Sequence, residues 1–371
     1  MTNKEKEQFI LDVNKLTLKH RLNDPLLSTS EYLIKEKLFW ADFSKLFYDK
    51  LPKTLYKYRK PTEYAFQNFE KDEAWFSHPS DFDETTDSTI NNNIEEEIKE
   101  FKENPYKSVR ELASSFAAAI SKKQGFSVEE KQFDDALKLF YKNGKLNESG
   151  FRFYLYKKYD KESAERILKV VKEKIGDFTK SQKTIKTIKK SLDMYCGLND
   201  EISSRVYTFS LAEKSDSQLM WSTYGDESRG FCIEYEFPCD TVLGKRMLMN
   251  LLPIFYGNKP LIKFFEIIIK RSQCSKNTVA GMDFDDFQTI FLSTFTKDAD
   301  CEAQREWRIT FNNRFGDSLR EFPFIKSVIL GERMNDEHKE RILKAAQEKN
   351  IPVYERQPNY TKSAIIVKRI L

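Results

Sequence analysis

The sequence predicts an α+β protein, with a mixed-sheet core, a large helical insertion within that core and an N-terminal helical arm. Three observations predict it. Strand-like runs bounded by turn residues occur in 51–86 and return beyond 200, the stretch between them is patterned almost wholly as helix, and residues 1–50 read as helical. At 371 residues the chain exceeds one ordinary domain. The expected organisation is therefore an arm over 1–50, a core built from 51–86 and 200–371, and an insertion over 87–199.

Each element has a local reason. Ser28-Thr29-Ser30-Glu31 offers a capping box ahead of the apolar positions Leu33, Leu38, Phe39, Phe43 and Phe47. Leu51-Pro52-Lys53-Thr54-Leu55-Tyr56-Lys57-Tyr58-Arg59 alternates as a strand, and Pro61 can open a short helix through about Phe69. Ala74-Trp75-Phe76-Ser77 reads as a second strand ending at His78-Pro79. In the insertion, Val109, Leu112 and Phe116, then Phe133, Leu137 and Phe140, recur at helical spacing. Strands return at 206–209, 230–235, 307–311, 326–330 and 364–367, with helices expected near 244–272, 283–297 and 335–349.

Composition excludes several classes. Hydrophobic residues make up 40%, enough to bury a core and to argue against disorder for most of the chain, and charged residues make up 32%, which gives a heavily charged exterior. The net charge of +4 leaves any nucleic-acid contact to local clustering. Five cysteines form no CxxC pair, and their odd number argues against a disulfide framework. With no apolar signal region after Met1 and no run long enough for a bilayer, a soluble cytoplasmic protein without membrane contact is expected.

The common cofactor signatures are missing. Gly225-Asp226-Glu227-Ser228-Arg229-Gly230 has the outer spacing of a phosphate loop, but Phe231-Cys232 follows where Lys and Ser/Thr are needed, so it reads as a turn. No HExxH or Cys/His cluster could hold zinc, and no compact acidic cluster suits a nuclease metal; no metal is expected. The chemistry is left to carboxylate, arginine and aromatic groups. Gln304-Arg305-Glu306-Trp307-Arg308 is the sharpest candidate, because in an extended strand Glu306 and Arg308 share a face while Arg305 and Trp307 point away. That pair reads either as a catalytic edge with Gln304 or as an ion pair bracing a sheet.

Five separated blocks carry a resemblance: Tyr56-Lys57-Tyr58-Arg59, Trp75-Phe76-Ser77-His78-Pro79, Met220-Trp221-Ser222-Thr223-Tyr224-Gly225, Gly230-Phe231-Cys232-Ile233-Glu234-Tyr235 and Glu306-Trp307-Arg308. In this order they resemble a bacterial family catalogued as a domain of unknown function and associated with phage defence. The family's usual Asn-Asp-Pro after the Ser-x-Pro block is replaced here by Asp83-Glu84-Thr85. More distantly the blocks resemble ADP-ribosyltransferases, which carry an Arg on a first strand, a Ser-Thr or aromatic block later and a Gln/Glu-x-Glu near the end of the core. Arg59, Ser222-Thr223 and Gln304-x-Glu306 stand in that order, although Ser222 reads as helix or turn and Trp75-Phe76-Ser77 competes for the nicotinamide-side strand.

That resemblance implies an ADP-ribosyltransferase-like core, NAD as the substrate cofactor, and a toxin or defence effector whose acceptor is nucleic acid or protein and which an antitoxin protein restrains. Glu306, with Gln304, would stabilise the oxocarbenium-like charge as the nicotinamide–ribose bond breaks. Arg59 would fork onto the pyrophosphate, and Tyr58, Ser77, Trp221, Ser222 and Tyr224 would complete the dinucleotide site. Lys157, Lys158 and Tyr159, in a stretch that interleaves basic and aromatic residues and is followed by Lys180, Lys183, Lys186, Lys189 and Lys190, could bind a nucleic-acid acceptor. The alternatives are a solvated lysine face and, for the whole protein, a non-catalytic nucleic-acid-binding or sensor module.

Overall fold

A computed structural model describes residues 1–20, 22, 28–82, 87, 89–103, 139–142, 145–180, 190, 193, 206–264, 292–312, 319–359 and 364–371. Expectations at Val109, Leu112, Phe116, Phe133, Leu137, Lys183, Lys186, Lys189 and Asp83-Glu84-Thr85 lie outside the described residues. The chain divides into two compact units, one of Met1–Thr89, Asp200–Pro260 and Ile290–Leu371, the other of Ile90–Asn199 and Leu261–Thr289.

The first unit is built on a mixed sheet of eight strands: β1 Leu55–Arg59, β2 Val206–Ala212, β3 Phe231–Tyr235, β4 Leu251–Pro253, β5 Glu306–Asn312, β6 Ile325–Leu330, β7 Val353–Asn359 and β8 Ala364–Arg369. Their order across the sheet is β8-β7-β6-β3-β1-β2-β5-β4. Among the described strands of this sheet only β6 and β7 run parallel, and the helix Asp336–Glu348 connects them, as a parallel crossover requires. Helices α1 Asn3–His20 and α2 Thr29–Phe47 belong to this unit. Phe9, Ile10, Val13 and Leu16 recur at helical spacing and are buried with Phe39, Phe43 and Phe47, and the Phe9 ring meets Trp307 of β5 edge-on at 6.0 Å. The capping box read at Ser28 and Glu31 is present.

One feature of the sheet positions the site. β1 pairs with β3 from Leu55↔Tyr235 to Arg59↔Phe231, but with β2 at Tyr56↔Ala212 alone. Beyond that point the two strands splay. Thr208 of β2 bonds instead to Ser77, backbone to backbone at 2.8 and 3.0 Å. Ser210, two residues along β2, turns its carbonyl to the same side, into the gap.

Four expectations need correction. The first strand begins at Leu55 and not at Leu51, and the helix expected over 283–297 has given way by Thr296–Lys297 to a strand paired with Phe255–Tyr256. The helix expected over 244–272 stops early: Val242–Met249 is helical, and Leu251–Pro253 then adds β4 at the sheet edge beside β5, where Pro253 needs no ladder N–H. The second strand is also shorter than expected, Glu73–Trp75, paired with Leu319–Glu321.

A glycine locks the end of β1. A side chain at Gly230 would put its Cβ 2.0 Å from the Arg59 carbonyl oxygen and 3.1 Å from that of Gly225, both backbone atoms that cannot rotate away. Gly230→Ala is therefore expected to cost on the order of 1–3 kcal/mol, as overpacking does. A thermal melt of the variant checks this, and an unshifted transition would contradict it.

In the second unit, helix Glu148–Lys158 buries Phe151 and Leu155 against Ala164, Ile167, Leu168 and Val171 of helix Lys161–Lys180. No helix among the described residues is long and apolar enough to cross a membrane.

Candidate active site

The gap between β1 and β2 opens into a cavity of about 230 Å³, lined within the first unit by β1, β2, the start of β5 and the segment around Ser77–Phe82. Four cationic side chains face it, Lys57, Arg59, Lys297 and Arg308, against three acidic ones, Asp81, Asp87 and Glu306.

Its floor is a buried quartet of two acids and two bases. Arg308 donates from Nε to Glu306 Oε1 at 2.6 Å and from both terminal nitrogens to Asp87, at 2.8 and 2.7 Å. Lys297 Nζ lies 3.3 Å from Asp87 Oδ2, 3.5 Å from Glu306 Oε2 and 3.0 Å from the Gln304 side-chain oxygen. All four charged residues are less than a tenth exposed. The Glu306 backbone N–H donates to the Tyr256 hydroxyl at 2.7 Å, fixing the start of β5. Four buried charges survive here because they neutralise one another and nearly every polar atom has a partner.

The pairing decides protonation. Burial pushes the Glu306 carboxyl up, but the Arg308 guanidinium and Lys297 outweigh it and hold the group below the usual carboxylate range. The same contest at Asp87 leaves its carboxyl at about 2. Both sites are therefore ionised at neutral pH. Because the folded pKa of Asp87 lies below its unfolded value, its contribution to stability is complete above about pH 5 and is lost as pH falls toward 2. The shift corresponds to about 2 kcal/mol. Melts between pH 6 and pH 2 should show this slope and a shallower one in Asp87→Asn; equal slopes would contradict it.

Of the residues named from sequence, the cavity gathers Tyr58, Arg59, Ser77, Tyr224, Gln304 and Glu306. Two are placed elsewhere. Trp221 is fully buried, edge-on to Tyr58 at 5.2 Å with its indole N–H donated to the Ser215 carbonyl, and Ser222 is exposed outside the cavity lining. Tyr58 is itself 4% exposed and spends its hydroxyl on the Lys214 carbonyl at 2.7 Å, so its role is packing at the cavity wall. Gln304 does not share a strand face with Glu306. It ends the 3-10 turn Ala299–Gln304, and Arg305 takes a left-handed φ of 45° before β5 begins. Lys297, not strand alternation, ties the two side chains together.

Sequence reasoning missed Lys57, Asp87 and Lys297 as lining groups. Lys57 had a signal, since alternation puts it on the face of Arg59. In the second unit, Lys157 and Lys158 are exposed, with Lys157 Nζ 4.6 Å above the Phe153 ring and Lys158 Nζ 5.3 Å above that of Tyr154, while Tyr159 packs half-buried against the Phe151 cluster. Among the described residues, no group of three or more His, Cys, Asp or Glu side chains is arranged to hold a metal.

A family described as "Protein of unknown function (DUF2971)" matches residues 220–309, a stretch that contains the turn around Gly225, β3, β4, Lys297 and the Gln304–Arg308 segment. No curated protein and no solved structure matches the chain.

Proposed function

We propose that the protein is an NAD-dependent ADP-ribosyltransferase whose site is the cleft between β1 and β2. The observation that carries the reading is that Arg59 and Ser77, remote in sequence from Gln304 and Glu306, line one cavity with them, in which Glu306 is held as a carboxylate. Breaking the nicotinamide–ribose bond leaves positive charge on the ribose ring, and a fixed anion costs no reorganisation as that charge grows. Glu306 supplies the anion and Gln304, bridged to it by Lys297, borders it. The Arg59 guanidinium fits the pyrophosphate, and Tyr224 and Trp75, 37% and 50% exposed at the rim, offer flat faces for the nicotinamide or adenine ring. The acceptor is nucleic acid or protein, and the exposed Phe153 with Lys157 and Lys158 is a surface suited to the former. A defence or toxin role restrained by an antitoxin follows from the sequence resemblance alone.

Incubation with NAD labelled in its adenylate half and a bacterial extract, followed by separate nuclease and protease digestion, tests the reading. Label that becomes macromolecular and yields to one of the two digestions is expected. Label that never becomes macromolecular would favour the second reading, a non-catalytic nucleic-acid-binding or sensor module. One observation speaks for that second reading: both Glu306 oxygens already face cations of the chain, as in a brace.

A further inference from the structure

Lys57 and Arg59 carry the charge that this cleft does not balance. Asp87 and Glu306 are taken by Arg308 and Lys297, and Asp81 accepts the His78 backbone N–H at 3.2 Å. Among the described residues neither Lys57 nor Arg59 forms an ion pair. Their charged ends lie 4.8 and 6.0 Å from the centre of one ring, Phe209, and Lys57 Nζ donates to the Ser210 carbonyl at 2.7 Å, the acceptor exposed where β1 leaves β2. Two adjacent cations in a partly desolvated gap are costly unless an anion joins them.

We infer that Lys57 and Arg59 together form a seat for a pyrophosphate diester, Arg59 taking one phosphate and Lys57 the other. The seat shares its cleft with the transferase reading but requires no bond to break. Arg59 remains charged at any physiological pH and presents a fork that one phosphate can fill. Lys57 presents a single compact amine on the neighbouring face position, suited to the second phosphate. Its protonation is finely set. Burial, and then the Arg59 charge, lower its amine to about 7, Glu306 acts in the opposite direction, and Arg308 adds to the depression. The remaining charged groups lining the cavity, Asp81, Asp87 and Lys297, are already engaged as described above. A diester pyrophosphate carries fixed negative charge through neutral pH, so a proton gained on binding belongs to the protein.

The measurement is calorimetric titration of the full-length protein with ADP-ribose, which has the diphosphate and no nicotinamide bond to break. A group that is half-charged near pH 7 when free and fully charged when bound weakens affinity about tenfold per pH unit above 7, so Kd should rise about 30-fold from pH 6 to pH 8.5. At pH 7, titrations in two buffers of different ionisation heat should show about half a proton taken up. Lys57→Arg should bind with little change between the two pH values, and Lys57→Met should bind weakly at both. A wild-type Kd that stays level from pH 6 to pH 8.5 would overturn the inference without recourse to any variant. So would Lys57→Met binding as tightly as wild type at pH 6, or no binding of ADP-ribose at either pH. Tight, pH-dependent binding with no label transferred from NAD would keep the seat and discard the transferase.

Discussion

A Glu306→Gln variant is expected to lose label transfer from NAD by at least about two orders of magnitude, the scale on which one preorganised electrostatic group contributes to a transition state. The amide keeps the shape of the side chain and can still accept from Arg308 Nε, but it removes the negative charge that the proposed reaction needs opposite the ribose. It also unbalances the quartet, leaving Asp87 alone opposite Arg308 and Lys297. A stability loss on the order of 2 kcal/mol should accompany the substitution, because a buried cation loses half of its compensation. Circular dichroism and ADP-ribose binding separate the two effects: the variant should be folded, should still bind the diester through Arg59 and Lys57, and should fail only in transfer. Undiminished transfer by a folded Glu306→Gln protein would remove Glu306 from the chemistry and leave it as a brace.

The parts of this fold legible from sequence are those written in neighbouring residues. Ser28 and Glu31 announce the start of α2 because a capping box is a four-residue event. The alternation of Glu306, Trp307 and Arg308 gives the two charged side chains a common face and sends Trp307 into the core with Phe9. What stayed hidden is written in long-range geometry. Asp87 joins Arg308 across more than two hundred residues, and no spacing rule links them. The left-handed φ of Arg305, which takes Gln304 off the strand, has no signature in an arginine. Leu251-Leu252-Pro253-Ile254 is an apolar run too short for periodicity to tell an edge strand from a continuing helix. Trp221 illustrates the remaining ambiguity: an aromatic in a motif can stack on a ligand or fill a core, and here Arg356 covers its face at 4.5 Å while its indole N–H is spent on backbone.

The splayed strands account for the concentration of charge at this point of the sheet. A continuous β1–β2 ladder would have covered the Ser210 carbonyl with backbone and left no room for Lys57 to turn inward. With a single register pair at Tyr56↔Ala212, the gap admits side chains from both strands. Gly230 then holds the Arg59 end of β1 by backbone contact, so the end of the strand is fixed from the side of the turn, while Ser77 takes the Thr208 backbone on the other side of the gap.

Arg308→Met is expected to have the largest effect on stability, a loss on the order of 3–5 kcal/mol at neutral pH, because it leaves two buried carboxylates opposite the single charge of Lys297. Methionine fills much of the volume, so the loss is electrostatic more than a matter of packing. The pH dependence distinguishes these causes. With Arg308 present, Asp87 and Glu306 are held below the usual carboxylate range, and wild-type stability falls as pH drops through their folded values. Without it, burial is opposed only by Lys297, the carboxyl pKa values rise, and protonation on acidification relieves the repulsion instead of breaking a bond. The gap between variant and wild type should therefore narrow from pH 8 to pH 4 in denaturant titrations. Adding Asp87→Asn to Arg308→Met should recover part of the loss at neutral pH, since it removes one of the two stranded charges. A gap that is constant with pH, or a double variant whose losses simply add, would show that Arg308 acts through packing and that the quartet is not an electrostatic unit.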